Sequence, residues 1–303
     1  MKKRLEAIAA PMVKLALVED MGGGDITTMS VVPERLHGAA SILAKEEGVL
    51  AGLDVAALVF RELDGAIEFT AHTKDGGRLS PGTRICTVGG QARAILSGER
   101  VALNFLQRLS GVATLTAQFV KRVEGTGARI TDTRKTTPGL RILEKYAVRV
   151  GGGTSHRFGL FDMYLVKEIH AKAAGGITAA VRLVRDARGT SSASEIQIEV
   201  EVQTPEQTQE ACRCGVNRIL LDNMSLDEIK ECAELIRRHR EQKRSRATTE
   251  EEAAEPWIEV SGGVTLENVR DAAEAGADFI SVGSLTHSFK SVDMSLLMED
   301  IGS

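Results

Sequence analysis

The chain reads as an α/β protein, a small N-terminal α+β domain followed by a barrel of alternating strands and helices. Three observations lead there. At 303 residues it exceeds one typical domain of about 100–200 residues. Between Gly38 and Leu96 it carries short β-like runs separated by glycine-rich turns. After Gly127 a strand, loop, helix rhythm recurs to the end of the chain, which is the pattern of parallel βαβ units.

The first twenty residues place Leu5, Ile8, Ala9, Met12, Leu15, Ala16 and Val18 near helical spacing and predict an amphipathic helix. The β-like runs follow at Ala39–Ala44, Gly48–Leu53, Ile67–His72 and Arg84–Val88, with turns at Asp75-Gly76-Gly77 and Ser80-Pro81-Gly82. Asp54–Leu63 reads as a helix between them, and Gly98–Leu109 as the helix that ends the domain. The predicted division is therefore 1–111 and 112–303. Barrel strands are expected at Arg129–Asp132, Met163–Lys167, Ile196–Val202, Arg218–Asp222, Ile258–Ser261 and Phe279–Val282. Asp132, Lys167, Glu201, Asp222, Ser261 and Gly283 fall where these apolar runs stop, at the positions of a barrel's catalytic rim. A doubly wound open sheet is the alternative topology. The charged insertion 239–255 breaks the rhythm and reads as a solvated helix extension with a loop.

Composition narrows the function classes. A chain with 43% hydrophobic and 26% charged residues is neither disordered nor a coiled coil. No run approaches the roughly 18–20 apolar residues of a membrane helix. The basic start is soon interrupted by Glu6, Pro11 and Lys14, unlike a secretory signal. Cys86, Cys212, Cys214 and Cys232 are too few for a disulfide scaffold and fit a reducing cytoplasm, the expected location. A net charge of −4 and 4% aromatics argue against nucleic acid as a partner. Attraction for an anion must then come from a local cluster of bases.

Such a cluster lies between residues 134 and 167. Arg134 and Lys135 sit among three threonines where a strand gives way to a helix, which reads as an anion site or, more plainly, as a helix cap with a surface pair. Gly151-Gly152-Gly153 permits close backbone approach, and His156, Arg157 and Lys167 join Arg134 and Lys135 to make five potential cations at one rim. Arginine pairs carboxylates through two parallel bonds. A unit charge pair at 4 Å contributes roughly 4 kcal/mol at an effective dielectric of 20, enough in combination to hold a strongly anionic ligand. His170 reads as structural. Glu199 and Glu201 point to one side of their strand, and Asp222 ends the next. These carboxylates either pair with the bases or bind sugar hydroxyls and Mg²⁺. Ser261-Gly262-Gly263 and Val282-Gly283-Ser284 read as tight turns or as bare-amide phosphate sites, with His287 beside the second. Together they point to transfer to or from a phosphorylated sugar by positioning and electrostatics, since no nucleophilic triad, P-loop or dinucleotide fingerprint occurs.

These residues resemble the quinolinate phosphoribosyltransferases. The resemblance rests on Leu96–Arg100, Asn104–Thr114, Thr131–Leu140, Gly151–Gly153, His156-Arg157, Lys167, Glu199–Glu201, Leu221–Asn223, Ser261–Gly263 and Val282–His287, in family order over nearly the whole chain. It implies a partly open seven-stranded α/β barrel with an N-terminal α/β sandwich domain, in a homodimer or multiple of dimers with shared sites. By the same resemblance Arg100 reaches the partner's site and, with Arg134, His156, Arg157 and Lys167, binds quinolinate. Lys135, Glu201 and Asp222 handle phosphoribosyl pyrophosphate, with Glu201 and Asp222 as ligands of its Mg²⁺, and the two glycine turns hold the 5-phosphate. The implied products are nicotinate mononucleotide, pyrophosphate and CO₂. One departure is Ile169, which stands where the family has an amide before the histidine. A molybdenum-transport branch of the same fold is the nearest alternative, disfavoured by Arg134, Arg157 and Lys167. A sugar-phosphate isomerase would not need so many bases, and a regulatory barrel would be expected to lose some of Lys135, Glu201 and Asp222.

Overall fold

The computed structural model describes residues 2–188, 196–245 and 256–302. Its contacts divide the chain into two compact units, Met1–Ala117 with Thr136–Gly152 and Ser284–Ser303, and Gln118–Lys135 with Gly153–Gly283. A single cut at 111/112 was the expectation; the observed division is discontinuous. The strand Met294–Gly302 pairs antiparallel with His37–Ala44, so the chain's last strand belongs to its first sheet.

That sheet runs in the order Met294–Gly302, His37–Ala44, Arg84–Gln91, Glu68–Ala71. Alternation places Ala40, Ile42, Ala44, Cys86 and Val88 in the core. The helix Lys2–Met21 packs against Leu53–Leu63, and its buried stripe is Ala9, Val13 and Leu17, spaced four apart. This corrects the predicted apolar face, because Leu15 and Val18 stand exposed on the far side. The Asp75 carboxylate accepts the N–H groups of Gly52 and Leu53 at 2.9 and 3.1 Å, capping Leu53–Leu63. The predicted Gly98–Leu109 helix is part of one long helix, Ala92–Arg122. Glycine is tolerated inside it at 111 because a Cβ there would lie 2.9 Å from the Phe289 ring.

The second unit holds a six-stranded parallel sheet. Its order is Arg129–Thr131, Phe279–Ser281, Trp257–Ser261, Arg218–Asp222, Ile198–Val202, Tyr164–Val166. All six strands fall where the sequence places them. Thr154 bridges Thr131 in parallel, with its N–H on the Ile130 carbonyl at 2.8 Å. The seventh strand of the resemblance is thus reduced to a single bridge, and among the described residues no ladder joins it to Tyr164–Val166. Neighbours in space remain neighbours in sequence around the barrel, which stays partly open at that seam. Ile198, Val200, Val202, Ile219, Leu221, Ile258, Val260 and Ile280 are buried. The alternate residues Glu201, Leu220, Asp222, Glu259, Ser261 and Ser281 line a central cavity. The helix Leu226–Arg244 opens on a Ser225–Glu228 capping box and runs through the start of the charged insertion; its residues 246–255 lie outside the described residues. No described helix is long and apolar enough to cross a membrane.

Candidate active site

The cavity of about 560 Å³ sits at the carboxyl ends of the parallel strands and brings most of the predicted residues together. Thr133, Arg134 and Lys135 enter from the loop after Arg129–Thr131, and His156 and Arg157 from the loop after the Thr154 bridge. Lys167 follows the strand Tyr164–Val166, Glu201 is the last residue but one of Ile198–Val202, Asp222 and Ser261 end the next two strands, and Gly262 and Gly263 continue the last into a turn.

Burial sorts the inward side chains into two layers. Leu165 pairs with Glu199, Glu199 with Arg218, Glu201 with Leu220 and Leu220 with Glu259; the fully buried Glu199 and Glu259 form a floor, and Glu201 is open to the cavity above them. One residue pair further on, Asp222 stands beside Ser261 at the rim.

The rim is basic, with two carboxylates. Lys167 Nζ donates to Glu201 Oε2 at 2.8 Å. Its backbone N–H donates to His170 Nδ1 at 3.0 Å, so His170 caps the helix Glu168–Ala174. The structural reading of His170 holds, while Ile169, beside it, is exposed. Arg157 is held below its usual pKa, first by burial and then by the neighbouring Arg134 charge. Two guanidinium groups that repel one another across a concave surface create a place for an anion.

The floor is a buried charge network. His156 Nε2 lies 3.1 Å from Glu199 Oε2 and 3.3 Å from Glu259 Oε1. Arg218 Nη1 meets Glu259 Oε2 at 2.6 Å, and the Ser281 hydroxyl donates to the same carboxylate. Burial alone would lower the His156 pKa, but the hydrogen bonds to Glu199 and Glu259 outweigh it and push the pKa up to about 9. Burial raises Glu199, with Glu259 adding to the shift; Glu259 is lowered because His156 and Arg218 overcome its burial. The Arg157 N–H approaches His156 Nδ1 at 2.7 Å, a contact that a protonated Nδ1 does not accept. Two buried carboxylates at Nε2 dominate, so we assign the imidazolium and treat the Arg157 contact as a close approach. His156, Glu199 and Glu259 also lie close enough together to hold a cation, a role the His156 and Arg218 charges already fill.

Some expected residues do not line this cavity. Val282 is buried, with its N–H on the Thr131 carbonyl at 2.9 Å, and Gly283 follows it. Ser284 and His287 form a short helix in the first unit, where His287 Nδ1 meets Ser288 Oγ at 2.6 Å. Arg100 also belongs to that unit, exposed on the helix Ala92–Arg122. Glu259 and Arg218 were not anticipated. Glu259 stands between Ile258 and Val260 as Glu199 does between Ile198 and Val200, and that repeated alternation was the available signal.

A partly open parallel barrel with cations, rim carboxylates and a glycine turn around one cavity defines an anion-binding barrel enzyme. Family models for the quinolinate phosphoribosyl transferase N- and C-terminal domains match residues 25–110 and 112–297. The chain is 43% identical to the probable nicotinate-nucleotide pyrophosphorylase [carboxylating] of Bacillus subtilis, covering 92% of this chain and 89% of the relative. It is 39% identical to the chloroplastic enzyme of that name from Arabidopsis thaliana, over 95% of this chain and 82% of the relative. The crystal structure of NadC from Streptococcus pyogenes superimposes with a TM-score of 0.85 at 38% identity, covering 96% of each chain. The chain belongs to the quinolinate phosphoribosyltransferase family.

Proposed function

We propose that this cavity transfers the phosphoribosyl group of phosphoribosyl pyrophosphate to quinolinate, with loss of one carboxylate. The observation that carries this reading is the convergence of Arg134, Lys135, Arg157 and Lys167 with Glu201 and Asp222 around one cavity beside a glycine turn. Arg134, His156, Arg157 and Lys167 take the dicarboxylate. Lys135 and the Ser261–Gly263 amides take the phosphates, and Glu201 and Asp222 face the ribose. The pyridine nitrogen attacks the anomeric carbon as pyrophosphate departs with the C–O electron pair. The C2–carboxylate bond then breaks, CO₂ leaves, and the electron pair at C2 takes up a proton to give nicotinate mononucleotide. The side chains orient both reactants and stabilise charge, without a covalent intermediate.

The donor set at the rim suits Mg²⁺, since Glu201 and Asp222 supply hard oxygens on adjacent strands facing the same cavity. When bound, the ion would neutralise charge on the departing pyrophosphate. We further infer a homodimer in which Arg100 completes the partner's site. A cytoplasmic location is supported by four cysteines that are all free.

Incubation with quinolinate, phosphoribosyl pyrophosphate and Mg²⁺ should yield nicotinate mononucleotide, pyrophosphate and CO₂ in equal amounts. Nicotinate should fail in place of quinolinate, because it leaves the bases meant for the second carboxylate unpaired. Efficient use of nicotinate, or no product from quinolinate, overturns the assignment.

A further inference from the structure

Asn223 follows the rim carboxylate Asp222, and three observations set it apart. Among the described residues it is the one non-glycine with a positive φ, 54°. Asparagine tolerates that left-handed region better than most residues, though at some cost, and such strain clusters at functional sites. Its side-chain Nδ2 donates to Asp222 Oδ2 at 2.8 Å, and its backbone N–H donates to the Ser261 carbonyl at 2.9 Å. An ionised Asp222 only accepts, so the amide nitrogen must be the atom facing it. The opposite face of the amide lies against the glycine turn. A Cβ at Gly262 would fall 2.6 Å from Asn223 Cγ and 2.8 Å from its backbone N. Gly262 itself has φ 93°, so the turn and Asn223 fit only as a pair.

We propose that Asn223 is a positioning residue for the phosphoribosyl donor, locking the Asp222 carboxylate and the Ser261–Gly263 turn into one fixed unit. This rests on the assignment of Asp222 and that turn to the donor. The left-handed backbone is what brings the amide back over Asp222 while its other side walls the turn. One side chain thereby sets the distance between the group facing the ribose and the amides facing the phosphate. The dicarboxylate end of the cavity is untouched by it, so the effect of losing Asn223 falls on one substrate.

Two variants test this. Asn223→Gly accommodates the φ without strain and removes the amide; Asn223→Asp keeps the size and places an acceptor against Asp222. Calorimetric titration with phosphoribosyl pyrophosphate and Mg²⁺, without quinolinate, should show affinity about tenfold weaker for Asn223→Gly and weaker still for Asn223→Asp. The KM for quinolinate should stay within about twofold, and the melting temperature of Asn223→Gly should equal or exceed that of the wild type. Wild-type donor affinity in Asn223→Gly overturns the proposal and leaves Asn223 a turn residue. Equal weakening of both substrates with a lower melting temperature overturns it too, in favour of local collapse. If the wild-type protein itself binds no donor, the assignment of the cavity fails first and this inference falls with it.

Discussion

The floor and the rim of the cavity are built from the same strands two residues apart, yet their charges do different work. At the floor, Glu199 and Glu259 are fully buried and matched by His156 and Arg218 at 2.6–3.3 Å. At the rim, Glu201 and Lys167 pair at 2.8 Å while Lys167 keeps 44% of its side-chain exposure. A buried ion pair is costly to break, because the remaining charge has no water to turn to. An exposed one contributes little and opens readily. The floor network therefore fixes shape, whereas the rim pair can exchange partners for a substrate carboxylate or phosphate. Lys167 and Glu201, assigned to different ligands, hold each other in the meantime.

Removing one floor charge should have the largest effect. Glu259→Ala leaves Arg218 without its carboxylate and His156 with Glu199 alone, and should cost about 3–5 kcal/mol of stability, read by denaturant unfolding. Arg134→Ala and Arg157→Ala should leave stability within about 1 kcal/mol and weaken quinolinate binding by roughly 2–3 kcal/mol, with little change in donor affinity. Glu201→Ala and Asp222→Ala should do the reverse or lower turnover. Equal losses of both ligands in all four variants would erase the distinction between the layers and make the rim a structural ion network as well.

The same contrast predicts a pH dependence confined to the floor. The folded-state pKa of His156, about 9, lies above the ordinary value of 6.5 for a histidine. Its contribution is fully present below about pH 6.5 and is lost as pH rises through about 9. At 1.36 kcal/mol per unit, the loss is on the order of 3 kcal/mol as an upper bound. Glu199, raised by burial, acts in the same direction at lower pH, since the folded state keeps a proton that the unfolded chain releases. Urea unfolding at pH 6 and pH 9 should show the wild type losing stability. His156→Gln should be less stable at pH 6 and flatter across the window. An unchanged slope in the variant would mean that His156 is not the charged group.

Much of this was legible because barrel chemistry follows strand periodicity. Lys167, Glu201, Asp222 and Ser261 stood out as polar residues ending apolar runs, and all four reach the rim. Glu259 sits one pleat deeper, inside its run, and gives no such end signal. The strand Met294–Gly302 was missed because its partner His37–Ala44 lies some 250 residues earlier, and only tertiary pairing makes it a strand. The sequence starts a helix at Gly98, yet the helix begins earlier, at Ala92, and a Cβ at 98 would lie 2.9 Å from Phe60, so close packing rather than a helix start explains this glycine.

A further prediction asks whether the rim ends within one chain. Arg100 is exposed on its helix in the first unit, and the proposed homodimer would bring it to a partner's cavity. Arg100→Ala and Lys135→Ala homodimers should each be nearly inactive. Mixed under subunit exchange, they should regain up to about a quarter of wild-type activity, because random pairing makes half the dimers mixed and each mixed dimer has one intact site. That site takes Arg100 from the Lys135→Ala chain and Lys135 from the Arg100→Ala chain, while the other site carries both lesions. If mass measurement verifies exchange and activity stays at the parental level, Arg100 acts in its own chain or not at all. The rim would then have to hold a dicarboxylate with the cations of a single chain.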